Sequence, residues 1–269
     1  MRALPLWRAA FALAGVLVSA AVARAILVAP HHIFIDHRTR SAVLYLYNPT
    51  DRAEEVALST AYGYPASDSA GNVFIRFVEE PGSDDRSAAV WIRAFPRRAR
   101  VEPGQRQAVR LLAEPPPDLP DGEYWTRLVV ASRPAEVPVA EADTGVRVGV
   151  VLEVRTIVPV TYRKGEVRTG VELTRIDAVP EGDSLAVRVG MRRAGNAAFL
   201  GTLYVALEDS TGAVRAATEQ QVAVYHELLR RVALPLAEVR AGTYHVRVRL
   251  DSRRTDLDPR NVLPAQPAE

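Results

Sequence analysis

Hydrophobic and polar residues alternate with a period of two along most of this chain, and the alternation is longest between Val146 and Val160. In VRVGVVLEVRTIVPV the even positions Val146, Val148, Val150, Leu152, Val154, Val158 and Val160 are apolar apart from Thr156, whereas the odd ones include Arg147, Gly149, Glu153 and Arg155. Such a period sends alternate side chains to opposite faces, so the stretch predicts a β-strand with one apolar and one mostly wet side. At ~3.3 Å per residue it would extend roughly 50 Å, against a usual strand of about 5–6 residues. It is either the last inner strand of a sandwich or an edge that pairs with something else.

The rest of the chain reads as shorter strands separated by turn residues. Ile26 to Ile35, Ser41 to Tyr47, Glu54 to Tyr62, Val73 to Val78, Ala89 to Phe95, Arg98 to Val101, Gln107 to Leu112 and Tyr124 to Ala131 precede the long run, with turns at Asn48-Pro49-Thr50 and Glu102-Pro103-Gly104-Gln105. After it come Val167 to Ile176, Ser184 to Arg193, Phe199 to Asp209, Ala213 to Tyr225, Leu228 to Leu236 and Thr243 to Asp251. AVYHELLRR is the one stretch that could instead form a helical turn. Leu112-Ala113-Glu114 followed by Gly122-Glu123-Tyr124 is echoed by Leu236-Ala237-Glu238 followed by Gly242-Thr243-Tyr244. A tyrosine at the start of a late strand is what a tyrosine corner requires, and regular strand spacing points to the same immunoglobulin-like sandwich. The fold class expected is all-β, with two immunoglobulin-like β-sandwich domains in tandem, and residues 253–269, rich in Pro, Asp and Arg, as a flexible tail.

Composition adds an address. Residues 1–25 combine Arg2 and Arg8, an apolar run from Ala9 to Ala21, and small residues at Ala23 and Ala25, which is the pattern of a cleavable signal peptide. Removing Arg2, Arg8 and Arg24 with it takes the formal charge from +2 to −1, so the basic pI gives no support to nucleic-acid binding. No later apolar stretch approaches the ~20 residues that span a bilayer, so no stable membrane insertion of the mature chain is expected. The chain has no cysteine, which excludes disulfides and thiol nucleophiles. Phosphate-binding glycine loops, nucleophile elbows and HExxH are also absent, so no cofactor and no catalysis are expected. His31, His32, Asp36 and His37 carry metal-ligand chemistry, but on a strand His31 and His32 face opposite ways, and no metal site is assigned.

At Pro96 to Leu111, PRRARVEPGQRQAVRL, and Leu119 to Val130, LPDGEYWTRLVV, the chain resembles the periplasmic pilus chaperones of the PapD-like family. SAVLYLYNPT looks like that family's second strand and its Asn turn, and the resemblance covers roughly 26–163. It implies a PapD-like domain there, a second sandwich over 164–252, and binding by donation of a strand to an incomplete subunit. By position the donor is 146–160, with Val148, Val150, Leu152 and Val154 as the residues that plug the subunit. The family anchors the subunit's terminal carboxylate with an arginine on the first strand and a lysine on the last. An ungapped comparison puts His32 and Ile157 at those places, with Arg155 two residues earlier on the same face.

The function expected is therefore a non-catalytic periplasmic chaperone for secreted pilus or surface subunits, with an outer-membrane usher as a further partner. The alternative is a structural envelope module that keeps 146–160 inside its own core. A metal-dependent enzyme built on the histidine cluster is the third class.

Overall fold

The computed structural model describes residues 25–136 and 151–265, where the regular structure is strand apart from two short 3₁₀ turns. The first unit contains β1 (Leu27–Ala29), β2 (Ile33–Asp36), β3 (Ser41–Tyr47), β4 (Glu54–Ser67), β5 (Val73–Val78), β6 (Ile92–Phe95), β7 (Arg98–Val101), β8 (Arg106–Ala113), β9 (Gly122–Pro134) and β10 (Val154–Lys164). One sheet runs β1-β3-β8-β6, and the facing sheet runs β2-β10-β9-β4-β5 with β7 also on β4. Period-two patterning decides what lies between them. Leu44 and Leu46 of β3, Val109 and Leu111 of β8, and Leu128 and Val130 of β9 all point inward and are buried in one cluster. Each such side chain contributes about 1.5–3 kcal/mol of transfer free energy before ordering costs.

The second unit contains β11 (Thr169–Glu181), β12 (Ser184–Gly195), β13 (Phe199–Glu208), β14 (Val214–Val224), β15 (Glu227–Pro235) and β16 (His245–Ser252). Its sheets are β11-β12-β15 and β14-β13-β16, so the chain crosses between sheets after β12, after β14 and again after β15. Val187, Val189 and Met191 of β12 meet Leu203, Val205 and Leu207 of β13 in a separate core. The fold is two immunoglobulin-like sandwiches in tandem.

The tyrosine echo corresponds to real geometry. The Tyr124 hydroxyl donates to the Pro120 carbonyl at 2.8 Å, and the Tyr244 hydroxyl donates to the Arg240 carbonyl at 2.8 Å, each four residues upstream. These are tyrosine corners, one per sandwich. Removing one hydroxyl orphans a carbonyl at a turn, so Tyr124→Phe should cost about 1 kcal/mol in urea unfolding, and Tyr244→Phe, whose bond is exposed, less.

Three expectations are corrected, and one alternative falls away. Ile26 to Ile35 is not one strand: β1 pairs with β3, and β2 pairs in parallel with β10 in the other sheet. The long strand does not include Val151 to Glu153, which are not strand, and it continues to Lys164. The ladder with β9 stops at Val154↔Ser132, two residues before β9 itself ends at Pro134. The helical-turn alternative for AVYHELLRR fails: Ala223 and Val224 end β14, Glu227 to Arg231 open β15, and only Tyr225 and His226 connect them, as the strand reading had it. The stretch from Arg253 is not a free tail either. Arg253 N–H donates to Leu200 O at 2.8 Å, Leu263 N–H donates to Thr169 O at 2.7 Å, and Arg254 is buried.

Candidate functional site

Strand β10 is paired on one side along its whole length, with Val154 opposite Ser132 and Lys164 opposite Gly122 on β9. On the other side β2 reaches only Val160 to Arg163. The Arg163 carbonyl accepts from His37 N–H at 2.9 Å on that side, which fixes the direction of the odd-numbered backbone groups. The N–H and C=O of Arg155 and Ile157 therefore face outward with no strand partner among the described residues, whereas the Pro159 C=O lies at the last rung of the parallel ladder, where Val160↔Ile33 sets it against the Ile33 N–H. Proline has no N–H to lose at such an edge. Pro159 is thus the sequence signal for an open edge, and the alternation of its neighbours conceals it.

Side chains divide along the same strand. Val158, Val160 and Tyr162 are buried in the core of the first sandwich, so this half of the run fills its own domain. Val154 is half-buried at the margin, Leu152 is 58% exposed and Ile157 41% exposed. Val148 and Val150 lie outside the described residues. A groove of about 590 Å³ opens beside Glu153, walled by Glu55, Arg98, Arg100 and Arg133.

The two residues expected at the carboxylate anchor are not brought together. Arg155 is exposed and paired with Glu153 at 2.7 Å. His32 Nε2 lies 3.0 Å from Thr161 Oγ1, six residues further along the strand, which is roughly 20 Å at strand rise. Burial, with the nearby Arg127 charge, pushes the His32 imidazole below its ordinary pKa, so it stands neutral at pH 7. The other members of the histidine cluster are dispersed: His31 is exposed, His37 Nδ1 meets the Tyr162 hydroxyl, and Asp36 accepts from Arg38 N–H at 2.8 Å.

Behind the edge lies the junction between the sandwiches, centred on Glu123. This carboxylate is 1% exposed and accepts from Arg254 Nη2 and, at 3.0 Å, from Arg163 Nη2, while Ala198 N–H donates to its second oxygen at 3.2 Å. Asp256 completes a four-charge network, accepting from Arg254 Nε at 2.9 Å and from Arg163. Burial alone would raise the Asp256 pKa, but the hydrogen bonds from Arg254 and Arg163 outweigh it and hold the carboxyl well below the usual range. Arg163 is on β10 and Glu123 on β9, so the network locks the end of the candidate edge to the second sandwich. Trp125 and Tyr225 pack edge to face across the same junction at 4.8 Å, and His226 Nε2 sits 2.8 Å from the Tyr62 hydroxyl. Sequence reasoning missed Glu123 and Arg254 because a buried charge leaves no trace in a hydrophobic pattern.

No protein-family model matches the chain, and no curated protein matches it. Among solved structures it is similar to the CsuC–CsuE chaperone–tip adhesion subunit complex of Acinetobacter baumannii, at 12% identity over 91% of this chain and 100% of that one, with a TM-score of 0.48. It is also similar to the Pseudomonas aeruginosa CupB2 chaperone, at 10% identity over 84% of this chain and 99% of that one, with a TM-score of 0.45. The E. coli chaperone DraB matches at 15% identity over 85% of this chain and 91% of that one, with a TM-score of 0.44. In each case the likeness is one of fold.

Proposed function

We propose that this chain is a non-catalytic periplasmic chaperone that binds pilus or other surface subunits by strand addition. The observation that carries the reading is the uncovered stretch of β10, where Arg155 and Ile157 offer backbone groups to an incoming strand. Backbone pairing there supplies affinity, and Val148, Val150, Leu152 and Val154 supply the apolar alternation that fills a subunit's pockets. The first unit, 26–163, does the binding, and the second, 164–252, braces it together with Arg254 and Asp256 of the stretch that follows, through the Glu123 network. The periplasmic address rests on the signal-peptide pattern of 1–25, and the PapD-like resemblance adds an outer-membrane usher as the receiver of the loaded complex.

The test is a co-expression pull-down of a pilin-type subunit with Val150→Arg and Leu152→Arg combined. Recovery should fall at least about 10-fold while the fold persists, since two buried apolar side chains and their pockets are lost. Unchanged recovery would show that the run before β10 has no part in binding.

A further inference from the structure

Strand β5 ends the same six-stranded sheet on the side opposite β2 and β10, and it is apolar on both faces. Val73, Phe74, Ile75 and Phe77 are each 38–46% exposed, with Arg76 as the only charge among them. Soluble proteins ordinarily blunt such an edge with charges, prolines or bulges, and here the register with β4 is unbroken from Val73 to Val78.

The backbone directions on β5 follow from its neighbour. Gly63 O accepts from Arg127 Nε at 2.8 Å, and Ala61 O accepts from Thr126 Oγ1 at 3.1 Å, so the odd positions of β4 turn toward β9. The even positions Tyr62, Tyr64 and Ala66 then bond to their partners Val78, Arg76 and Phe74. Val73, Ile75 and Phe77 are left with N–H and C=O pointing outward, without a strand partner among the described residues.

We propose that a second copy of this chain docks on this edge, the two β5 strands pairing antiparallel about a two-fold axis through Ile75. In that register Ile75 faces its counterpart and Val73 faces Phe77, so all three outward residues exchange both hydrogen bonds. Other centres do worse. An axis between Ile75 and Arg76 sets outward groups against inward ones, an axis at Phe77 puts Val73 opposite Pro81, and an axis at Val73 puts Ile75 opposite the turn at Gly71, whose φ is +86°. Phe74 faces Arg76 of the other copy, a cation–aromatic pairing that Arg76 already makes at 6.0 Å within its own chain.

Charge complementarity supports the same occupant. Continued outward, the register sets Glu79 opposite Gly71 of the other copy, whose carbonyl accepts from Arg231 N–H at 3.2 Å. Arg231 and Arg188 share the single carboxylate of Glu181, which leaves one positive charge there, while Asp68 of the hairpin is taken up by Asn72 and the backbone amides of Ala70 and Asn72. Arg230, next to Arg231 on β15, turns to the opposite face and bonds to Gln220. Glu79 and Glu80 are exposed and make no ion pair among the described residues. The acidic end of each β5 therefore meets the basic corner beside the other's hairpin. The arrangement is isologous, closes on itself, and leaves the β10 edge open in both copies.

Sedimentation velocity of the mature full chain at about 100 µM reads the proposal directly. The wild type should run as a dimer. Ile75→Pro removes an N–H that β4 does not use, and Ile75→Lys places a charge on the axis. Each should raise the dimer dissociation constant at least about 100-fold, with the melting temperature unchanged at a dilution where wild type and variant are both monomeric. Glu79→Arg with Glu80→Arg, which touches no ladder bond, should weaken the dimer even if an Ile75 variant folds poorly, and Ile157→Lys on the opposite edge should leave it intact. A monomeric wild type would overturn the proposal. So would a dimer that survives the folded Ile75 variants and the glutamate reversal, or one abolished by Ile157→Lys.

Discussion

Glu123→Ala should cost about 3–5 kcal/mol and loosen the two sandwiches from each other, because it removes the fully buried one of the two carboxylates that Arg254 and Arg163 share at the junction. The Arg254 side chain is 1% exposed and has nowhere to find water. Its remaining partners are Asp256 and the Ala198 carbonyl, the latter at 2.9 Å, which leave the network with one net positive charge in a dry setting. The Ala198 N–H loses its acceptor in the same change. Urea unfolding followed by tryptophan fluorescence is a suitable reading, since Trp125 packs edge to face on Tyr225 across this junction and should report its opening first. A loss under about 1 kcal/mol would mean that water replaces the carboxylate and the cluster is not buried in solution. Replacing both partners, Glu123→Leu with Arg254→Met, should recover much of the loss. The Arg163–Asp256 pair stays satisfied, and two costly desolvations vanish together.

That cluster marks the boundary of what the sequence could reveal. Strands were legible as apolar or alternating runs between turn residues: Ser41 to Tyr47, Val73 to Val78 and Arg98 to Val101 appear with the expected bounds, although Val73 to Val78 buries neither face. The tyrosine corners were legible because their geometry is local, spanning four residues. Glu123 was not, because its burial depends on Arg254, 131 residues away in sequence. For the same reason the polar stretch after Arg253 resembled a tail. Its arginine is bound by charges that only the folded junction assembles. His226 is half-buried at this junction against Tyr62 and Trp125, a place that no neighbouring residue in the sequence announces.

The long alternating run shows a different limit. Periodicity predicted a strand with an apolar face, which holds over Val154 to Val160, but it does not distinguish a face that fills its own core from one held for another chain. The structure divides the run: Val158 and Val160 are spent on the core, whereas Val154 sits at the margin and Leu152 beyond it. Pro159, which cannot donate to a ladder, was the residue that carried the missing information.

Ile157→Pro should abolish subunit capture while leaving the sandwich folded. The Ile157 N–H points away from β9, so its loss breaks no bond within the chain but removes a central donor from the open edge. Ile157→Ala is the matched control, since it trims the same exposed side chain and keeps the N–H. The proline variant should capture a co-expressed pilin-type subunit at least about 10-fold less than the alanine variant, because one lost bond is worth about 1 kcal/mol and the ring also obstructs the approaching strand. Hydrogen exchange gives the same answer without mutation. The Arg155 and Ile157 amides should exchange fast in the isolated chain and slowly in a complex, while Thr156 and Val158, which bond to β9, are protected in both. Slow exchange of Arg155 and Ile157 in the isolated chain, or equal capture by the proline and alanine variants, would mean that this edge is already closed. The run would then serve only the core that Val158 and Val160 already occupy.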